Sequence, residues 1–179
     1  STEGVLYAEI SGFENDLSNR RISLSDGTAN NSIRIFYYND GGTVFFRKYV
    51  GGVQTSIVTI NSINQHEITK IAIKYNSTNF DIFANGVKIS TNLDSNSFPT
   101  NTLNKIGFAD GSGSGTPFYG KVRSVKYFPT ALGDSKLITL TGGDGSLYGL
   151  FNSFEARVLA DGGTIESQDC IINELKKLL

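Results

Sequence analysis

The sequence predicts an all-β protein, a two-sheet antiparallel jelly-roll sandwich with a short C-terminal α-helix. Short stretches of alternating apolar and polar residues, separated by Gly, Asn, Asp and Ser, fill residues 4–128. Such alternation is typical of half-buried strands. Because so many antiparallel strands close best as two packed sheets, a sandwich or jelly roll is the expected architecture.

Ten strands are predicted along the chain, and the helical pattern comes after them. A helical spacing of apolar residues first begins at 133–140, and a Gly-rich spacer follows at 142–146. A helix is predicted over 165–178, where an apolar stripe faces one side. We therefore expect a sandwich domain over 1–141 and a spacer with a helical segment over 142–179. The predicted strands are 5–10, 21–24, 32–38, 43–50, 53–60, 67–75, 80–84, 87–90, 105–109 and 118–128.

Turn lengths predict how the strands between residues 32 and 60 pair. The loop at 39–42 places Arg34 opposite Arg47, and the Gly51-Gly52 turn suits a two-residue hairpin. Counting back from that turn pairs Phe46 with Ile57. Since side chains alternate across a strand, the sheet has two faces. The predicted core face carries Ile33, Ile35, Tyr37, Val44, Phe46 and Ile57, and the predicted mixed face carries Arg34, Phe36, Tyr38, Phe45, Arg47, Tyr49, Gln54 and Val58.

A second run of hairpins is predicted between residues 67 and 90. The turn at 76–79 aligns Lys74 with Asp81, a favourable cross-strand pair. Asn85-Gly86 is a strong hairpin signal. It is expected to return Val87 and Ile89 to the apolar face.

Composition excludes several classes of function. Sixteen basic and 17 acidic residues give a net charge of -1, which argues against bulk binding to nucleic acid or anionic membrane. No apolar run approaches the ~20 residues of a membrane span. A single Cys excludes an internal disulfide framework and a cysteine-based zinc site. No signal peptide is expected, and because Met is absent we expect a fragment of a longer protein.

Several short motifs follow one another along the chain. They are LSDGT at 24–28 with Asn31, IAIKY at 71–75, NF at 79–80, NGV at 85–87, IG at 106–107, GKV at 120–122 and YFP at 127–129. Taken in order, these motifs resemble concanavalin A-like lectin/glucanase domains of the laminin-G-like type. More narrowly, they resemble the versions found in bacteriophage tail and head fibres. Residues 156–166 are similar to a recurring C-terminal segment of phage structural proteins.

The resemblance implies a jelly roll that binds glycans or proteins and, in virions, often attaches to the host surface. It also implies a Ca²⁺ ion at a rim, held by carboxylates and carbonyls. The candidate carboxylates are Asp26, Asp40, Asp110 and Asp144, each in a Gly-rich turn. An Asp in such a turn usually caps its own backbone, so we expect no metal or cofactor, with Ca²⁺ as the alternative that the resemblance implies.

Glycan binding is the main hypothesis for the mixed face. Sugar sites combine flat aromatic surfaces with fixed polar groups. The chain has no Trp, so Tyr38 and Tyr49 would be the platforms, beside Gln54. Two opposed arginines, Arg34 and Arg47, should repel unless an anion such as a uronic acid, a sialic acid or a phosphate joins them. The alternative is that Phe36, Phe45 and Val58 make this face core, with the arginines pairing local acids at its edges.

Loops around this face supply further candidates. Asn39 and Asp40 form one rim, and Asp110 begins a second rim at 110–116. The Gly-Ser run at 111–115 within it suits a flexible connector or a mobile rim.

Catalysis is not expected. The glucanase branch carries Glu-x-Asp-x-x-Glu, but Glu14 and Asp16 lack the third carboxylate at this spacing. Glycoside hydrolysis needs two placed carboxyls. His66 has no visible partner that would make it a general base. Cys170 lies beside apolar residues of the predicted 165–178 helix and is expected to pack there.

These observations predict a non-enzymatic carbohydrate-binding module that attaches a phage fibre protein to host-surface glycan, and a location in the virion. The alternative is a structural or decoration domain that acts through protein contacts with other virion proteins. A homo-oligomer, plausibly a trimer, is expected, and the 165–178 helix either docks on the sandwich or assembles with copies of itself.

Overall fold

The computed structural model describes residues 2–13, 18–61 and 63–142, and within these ranges the chain forms ten strands and one helix. Each predicted strand overlaps an observed one, and the helix begins where the helical spacing begins. The elements are β1 (Gly4–Gly12), β2 (Arg20–Ser25), β3 (Ser32–Tyr37), β4 (Val44–Val50), β5 (Val53–Ile60), β6 (Thr69–Tyr75), β7 (Asn79–Ala84), β8 (Val87–Leu93), β9 (Lys105–Gly107), β10 (Gly120–Phe128) and α1 (Asp134–Gly142).

The strands of the described residues form two antiparallel five-stranded sheets. The first sheet has the order β10-β1-β6-β7-β8, and the second has the order β5-β4-β3-β2-β9. Alternate side chains of both sheets point inward and form one apolar core. Leu6 and Ile73 of the first sheet and Ile35 and Phe46 of the second are fully or almost fully buried there. The predicted two-sheet sandwich is confirmed.

The turn-based registers hold near each hairpin. Arg34 lies opposite Arg47, as the loop length predicts. Gly51 and Gly52 have φ values of 58° and 84°, which the primed turn requires and which glycine adopts without strain. Lys74 lies opposite Asp81, and its Nζ is 2.8 Å from the carboxylate.

A β-bulge in β5 corrects the predicted faces of the second sheet. Lys48 pairs with Ser56 while Tyr49 pairs with Gln54, so one residue of β5 is left unpaired. Beyond it Phe46 pairs with Val58, not with Ile57. Val58 is therefore buried in the core and Ile57 is exposed on the other face. The prediction that put Ile57 in the core and Val58 on the mixed face is wrong, because a one-residue shift turns every later side chain over.

A second bulge corrects the expected position of Ile89. Ile82 pairs with Ser90, whereas Phe83 pairs with Lys88, so Ile89 has no partner across the ladder. Ser90 takes the place facing Ile82, and Ile89 is exposed at 42%. The Asn85-Gly86 turn itself forms as predicted, with both residues at positive φ.

Helix α1 covers the outer face of the first sheet. Leu137 is fully buried there and packs in a second apolar cluster. At the start of α1, Asp134 ion-pairs with Lys74 and lies 2.8 Å from Lys88. The outer cluster comprises Val5, Tyr7, Ala72, Phe83 and Leu137, with Phe128, Leu132, Ile138 and Leu140 at its border.

A buried ion pair lies at one end of the sandwich. The Nζ of Lys48 is 3.1 Å from the carboxylate of Asp94, and neither side chain has exposed surface. Ser56 and Thr55 donate hydrogen bonds of 2.6 and 3.0 Å to the same oxygen. Burial would raise the pKa of Asp94, but hydrogen bonds, led by that from Ser56, hold it far below its usual value.

Some expectations fall outside the described residues. They are the spacer beyond Gly142, the 165–178 helix, Cys170 and Asp144, so the division of the chain into two parts stays a prediction. In the part of the chain that the structure describes, no helix is long and apolar enough to cross a membrane.

Candidate functional site

Within the part of the chain that the structure describes, no helix packs on the outer face of the second sheet, which presents cations and aromatic rings. We call it the arginine face, and its members point away from the core because they alternate with core residues on β2, β3 and β4. Its defining residues are Arg21, Arg34, Phe36, Phe45, Arg47 and Tyr49.

Cross-strand pairing orders this face into rows. One row runs Gly107, Ser23, Arg34, Arg47 and Ile57 across all five strands. Neighbouring strands are about 4.8 Å apart, so the two arginines are adjacent. The row on one side holds Arg21, Phe36, Phe45 and Thr59. The row on the other side holds Lys105, Ser25, Ser32, Tyr49 and Gln54.

Arg34 is fixed by its own loop and by an aromatic ring. Its Nε donates to Ser32 Oγ at 2.9 Å, and its Nη2 donates to the Ala29 carbonyl at 2.6 Å. The guanidinium lies 4.2 Å from the ring centre of Tyr49. Only 8% of Arg34 is exposed. Arg34 can therefore act on a ligand through its fixed positive charge, but it offers little surface for direct contact.

Arg47 and Arg21 lie on phenylalanine rings and are half-buried. The guanidinium of Arg47 is 4.7 Å from the ring centre of Phe45 and 5.1 Å from that of Phe36. Arg21 is 4.1 Å from the Phe36 ring. The Nε of Arg47 is buried without a hydrogen-bond partner. Stacking orients these groups, and it leaves hydrogen-bonding capacity unused.

The arginine face carries little compensating negative charge, and among the described residues Asp110 is the carboxylate that attracts Arg21 and Arg34. Among the described residues, the ion pairs are confined to Lys48, Lys74 and Lys88 and do not include the three arginines. Burial lowers the pKa of Arg34, and burial followed by repulsion from Arg47 lowers that of Arg21. Both guanidiniums stay charged at neutral pH. The alternative from the sequence expected arginines at the edge of the face that pair with nearby acids. The described arginines instead contact aromatic rings, although Phe36 is buried, as that alternative expected.

The predicted tyrosines border the same face. Tyr38 is 41% exposed and stands edge-on to Phe36 and Phe45, with ring centres 6.0 and 5.7 Å away. Tyr49 donates a 3.0 Å hydrogen bond to Gln54. The face thus brings together five predicted residues: Arg34, Tyr38, Arg47, Tyr49 and Gln54.

The two predicted rims differ in position and role. Asn39 is exposed in the β3–β4 turn, and Asp40 accepts hydrogen bonds from the backbone of Gly42 and Thr43 at 3.0 and 2.7 Å. Asp110 borders a pocket of about 160 Å³ beside β2 and β9. Burial raises its pKa, but a hydrogen bond from Ser112 and its neighbours holds the pKa below the usual value.

Sequence reasoning missed three residues of this region. Arg21, Ser23 and Lys105 lie on β2 and β9, next to the predicted arginines. The alternation of Arg21 and Ser23 with buried Ile22 and Leu24 marks an outward face, but only the pairing of β2 with β3 shows which face it joins.

The carboxylates do not assemble a metal site. The carboxylate of Asp26 accepts hydrogen bonds from the backbone and hydroxyl of Thr28 and from the side chain of Asn31. The carboxylates of Asp40 and Asp110 likewise accept hydrogen bonds from residues of their own turns. Within residues 2–13, 18–61 and 63–142 there is no group of three His, Cys, Asp or Glu side chains that could hold a metal ion. The described donors do not fit the implied Ca²⁺.

The residues weighed for catalysis give no assembled centre. Glu14 and Asp16 lie outside the described residues. The Nδ1 of His66 lies 3.0 Å from the Phe13 carbonyl, to which it donates. That bond orients the imidazole toward backbone rather than toward a nucleophile.

Solved structures share this fold at low sequence identity. The CBM40 of the Ruminococcus gnavus IT-sialidase, bound to α2,3-sialyllactose, is 18% identical with a TM-score of 0.64, over 79% of this chain and 83% of that one. The leech intramolecular trans-sialidase is 18% identical with a TM-score of 0.63 over 80% of this chain, and the Streptococcus pneumoniae NanB sialidase is 15% identical with 0.62 over 79%. This chain spans 24% of each of those two enzymes.

Sequence comparison supplies the family. A search of curated protein sequences finds no match. Residues 13–137 match the profile of the concanavalin A-like lectin/glucanases superfamily, laminin-G type 3, which is more than half of the chain. The resemblance read from the motifs is thereby confirmed at the level of the family, and this chain belongs to the concanavalin A-like lectin/glucanase superfamily.

Proposed function

We propose that this chain is a carbohydrate-binding module without catalytic activity, which binds an acidic saccharide on the arginine face. The observation that carries the proposal is the direct opposition of Arg34 and Arg47, which stack on aromatic rings and form no ion pair with a carboxylate of the described residues. Like charges placed opposite each other are unfavourable, and an anion between them removes the cost. A carboxylate accepts paired hydrogen bonds from guanidinium groups.

The roles of the residues follow from their exposure. Arg47 and Arg21, both half-buried, would donate hydrogen bonds to the ligand carboxylate, and Arg34 would add its fixed charge from below. Tyr38 would offer its exposed ring to the apolar side of a sugar. The sialyllactose bound by the Ruminococcus gnavus module supports an acidic saccharide as the ligand class.

Calorimetric titration tests this function. The chain would be titrated with α2,3-sialyllactose and trigalacturonate, and with lactose as the neutral comparison. We expect binding of at least one acidic saccharide, weaker binding of lactose, and a loss of affinity as salt rises. Arg47→Ala should lower affinity about 10- to 150-fold, as expected for losing hydrogen bonds to a charged group.

A matched variant separates a local effect from net charge. Arg123→Ala removes the same charge from exposed β10 of the first sheet. It should leave affinity unchanged. Equal losses in both variants, or wild-type protein that binds neither acidic saccharide, would refute the proposal.

The biological setting is proposed from sequence resemblance. We propose that the module belongs to a phage fibre protein, in the virion, and attaches it to an acidic glycan of the host surface. The motifs at 24–28 and 71–75 and the segment at 156–166 support this. Sedimentation of labelled protein with intact host bacteria tests it, and binding that Arg47→Ala does not reduce would contradict it.

Protein contacts are the second candidate function. The edge strands β5 and β8 meet, with Asn92 donating a 3.2 Å hydrogen bond to the Ile57 carbonyl, and both expose apolar side chains. Leu93 is 87% and Val53 64% exposed. Sedimentation velocity of the chain with and without residues 165–179 tests assembly into an oligomer such as a trimer. A monomer in both cases would remove self-assembly from the account.

A further inference from the structure

Small residues create a pocket beside the arginine face. Ser23 and Gly107 pair across β2 and β9, and Ser25 follows on the same face of β2. Their short side chains leave a pocket of about 160 Å³, bordered also by Lys105 and Asp110. A liquid water occupies about 30 Å³, so the pocket has room for about five waters, or for a polyol arm of about three carbons.

The floor of the pocket carries an unused hydroxyl. Ser23 has no exposed surface, and its Oγ has no hydrogen-bond partner. A buried hydroxyl without a hydrogen-bond partner is unfavourable in the folded protein. A ligand that hydrogen-bonds to Ser23 Oγ would remove this unfavourable contribution.

The rim of the pocket favours neutral hydroxyl groups over an anion. Lys105 can donate and Asp110 can accept, so a group with both capacities satisfies both. The Lys105 amine lies close over Gly27, since a Cβ built there would be 2.6 Å from Nζ. The Asp110 carboxylate would repel the ligand carboxylate, which the arginines attract.

Strand spacing relates the pocket to the arginines. Ser23 is the cross-strand neighbour of Arg34, which in turn neighbours Arg47. Successive strands are about 4.8 Å apart, so the pocket floor lies about 5 Å from one arginine backbone and about 10 Å from the other. One sugar residue can reach both places.

We infer that this pocket binds a hydroxylated side arm of the acidic saccharide, and that Ser23 hydrogen-bonds to it. The inference rests on the proposed function and adds its specificity: an acidic sugar with a polyol arm is preferred over one without. Gly107 keeps the pocket open, because a Cβ there would lie 3.3 Å from Ser23 Oγ.

Two ligands and three variants test the pocket. The probes are α2,3-sialyllactose and the same saccharide with its glycerol arm shortened by periodate cleavage and borohydride reduction. Ser23→Ala should weaken binding of the intact saccharide about 2- to 12-fold, as for one hydrogen bond, and leave the shortened one unaffected. Gly107→Ala should weaken the intact saccharide as well. Thr91→Ala, at an exposed position of β8 in the first sheet, is the control and should bind like wild type.

Thermal unfolding separates a ligand contact from a structural role. Because Ser23 Oγ has no partner in the protein, Ser23→Ala should keep or raise the melting temperature while it weakens binding. If the wild type binds the saccharide and Arg47→Ala loses it, but Ser23→Ala and Gly107→Ala bind normally, only the pocket assignment fails. If the wild type does not bind the saccharide, both the proposed function and this inference fail.

Discussion

The outer faces of the two sheets both place cations beside aromatic rings, but among the described residues only the cations of the first sheet have carboxylate partners. On the first sheet Lys74 and Lys88 lie 5.7 and 5.6 Å from the Phe83 ring, and both reach the carboxylate of Asp134 on α1. On the second sheet Arg34 and Arg47 stack on Tyr49 and Phe45, and within residues 2–13, 18–61 and 63–142 they form no ion pair and no helix covers them.

The difference separates a stabilising surface from a binding surface. Paired charges under a helix satisfy each other and contribute to folding. Oriented cations that form no ion pair among the described residues retain hydrogen-bonding capacity, which in the proposed function an acidic ligand would use. The comparison therefore predicts that changes on the first face reduce stability and that changes on the second reduce binding.

The largest stability effect is expected where α1 packs on the first sheet. Leu137→Ala should lower the free energy of unfolding by about 2–5 kcal/mol, because a fully buried leucine leaves a cavity. Urea unfolding followed by tyrosine fluorescence measures it. The exposed neighbour Lys136→Ala is the control, and a loss below about 0.5 kcal/mol for Leu137→Ala would show that the helix does not stabilise the sheet.

A smaller loss is expected from the carboxylate beneath the helix. Asp81 is fully buried and lies 2.8 Å from Lys74. Asp81→Asn should lower the free energy of unfolding by about 1–3 kcal/mol, because Lys74 and Lys88, the second 3.5 Å away, both lose a charged partner. Glu67→Gln removes an equal charge from an exposed position and should be neutral. Equal stability of the two variants would contradict the role of this pair.

Acid should weaken the ion pairs of the first face. Burial raises the pKa of Asp134, but hydrogen bonds from Lys74 and Lys88 outweigh it and hold the pKa below its usual value. A carboxyl with a depressed folded pKa contributes stability above its unfolded pKa of about 3.9, and this is lost as pH falls further. Asp134→Asn should therefore reduce stability at pH 6 and approach wild type near pH 2. If the stability difference between Asp134→Asn and wild type stays constant across this pH range, titration of Asp134 is not its cause.

The smallest stability effect is expected on the arginine face. Arg47→Ala should change the free energy of unfolding by less than about 1 kcal/mol, since it removes cation–aromatic contacts and no ion pair. A loss as large as that of Leu137→Ala would mean that this face is structural. The same substitution should have a large effect on ligand affinity, as proposed above.

Sequence predicted the strands well because their signal is local. Alternating residues and the Asn85-Gly86 and Gly51-Gly52 turns predicted elements and nearby pairings, including the opposition of Arg34 and Arg47. The bulges were missed because polar residues such as Thr55 fit either register, and only packing against the neighbouring strand selects one.

Contacts between distant parts of the chain were also beyond sequence reasoning. The pairing of Ser23 with Gly107 joins strands more than 80 residues apart, and it creates the pocket. Lys48 and Asp94 similarly form their buried pair across the sandwich. Neither has a periodic signal, because each depends on how the two sheets close.

Mapping the bound saccharide by ¹H–¹⁵N chemical shifts tests the central claim most directly. Uniformly labelled protein would be titrated with α2,3-sialyllactose. The account predicts shifts at Arg21, Ser23, Arg34, Arg47 and Gly107, with α1 and the outer face of the first sheet unchanged. Shifts confined to α1 or to the β5–β8 edge would contradict it.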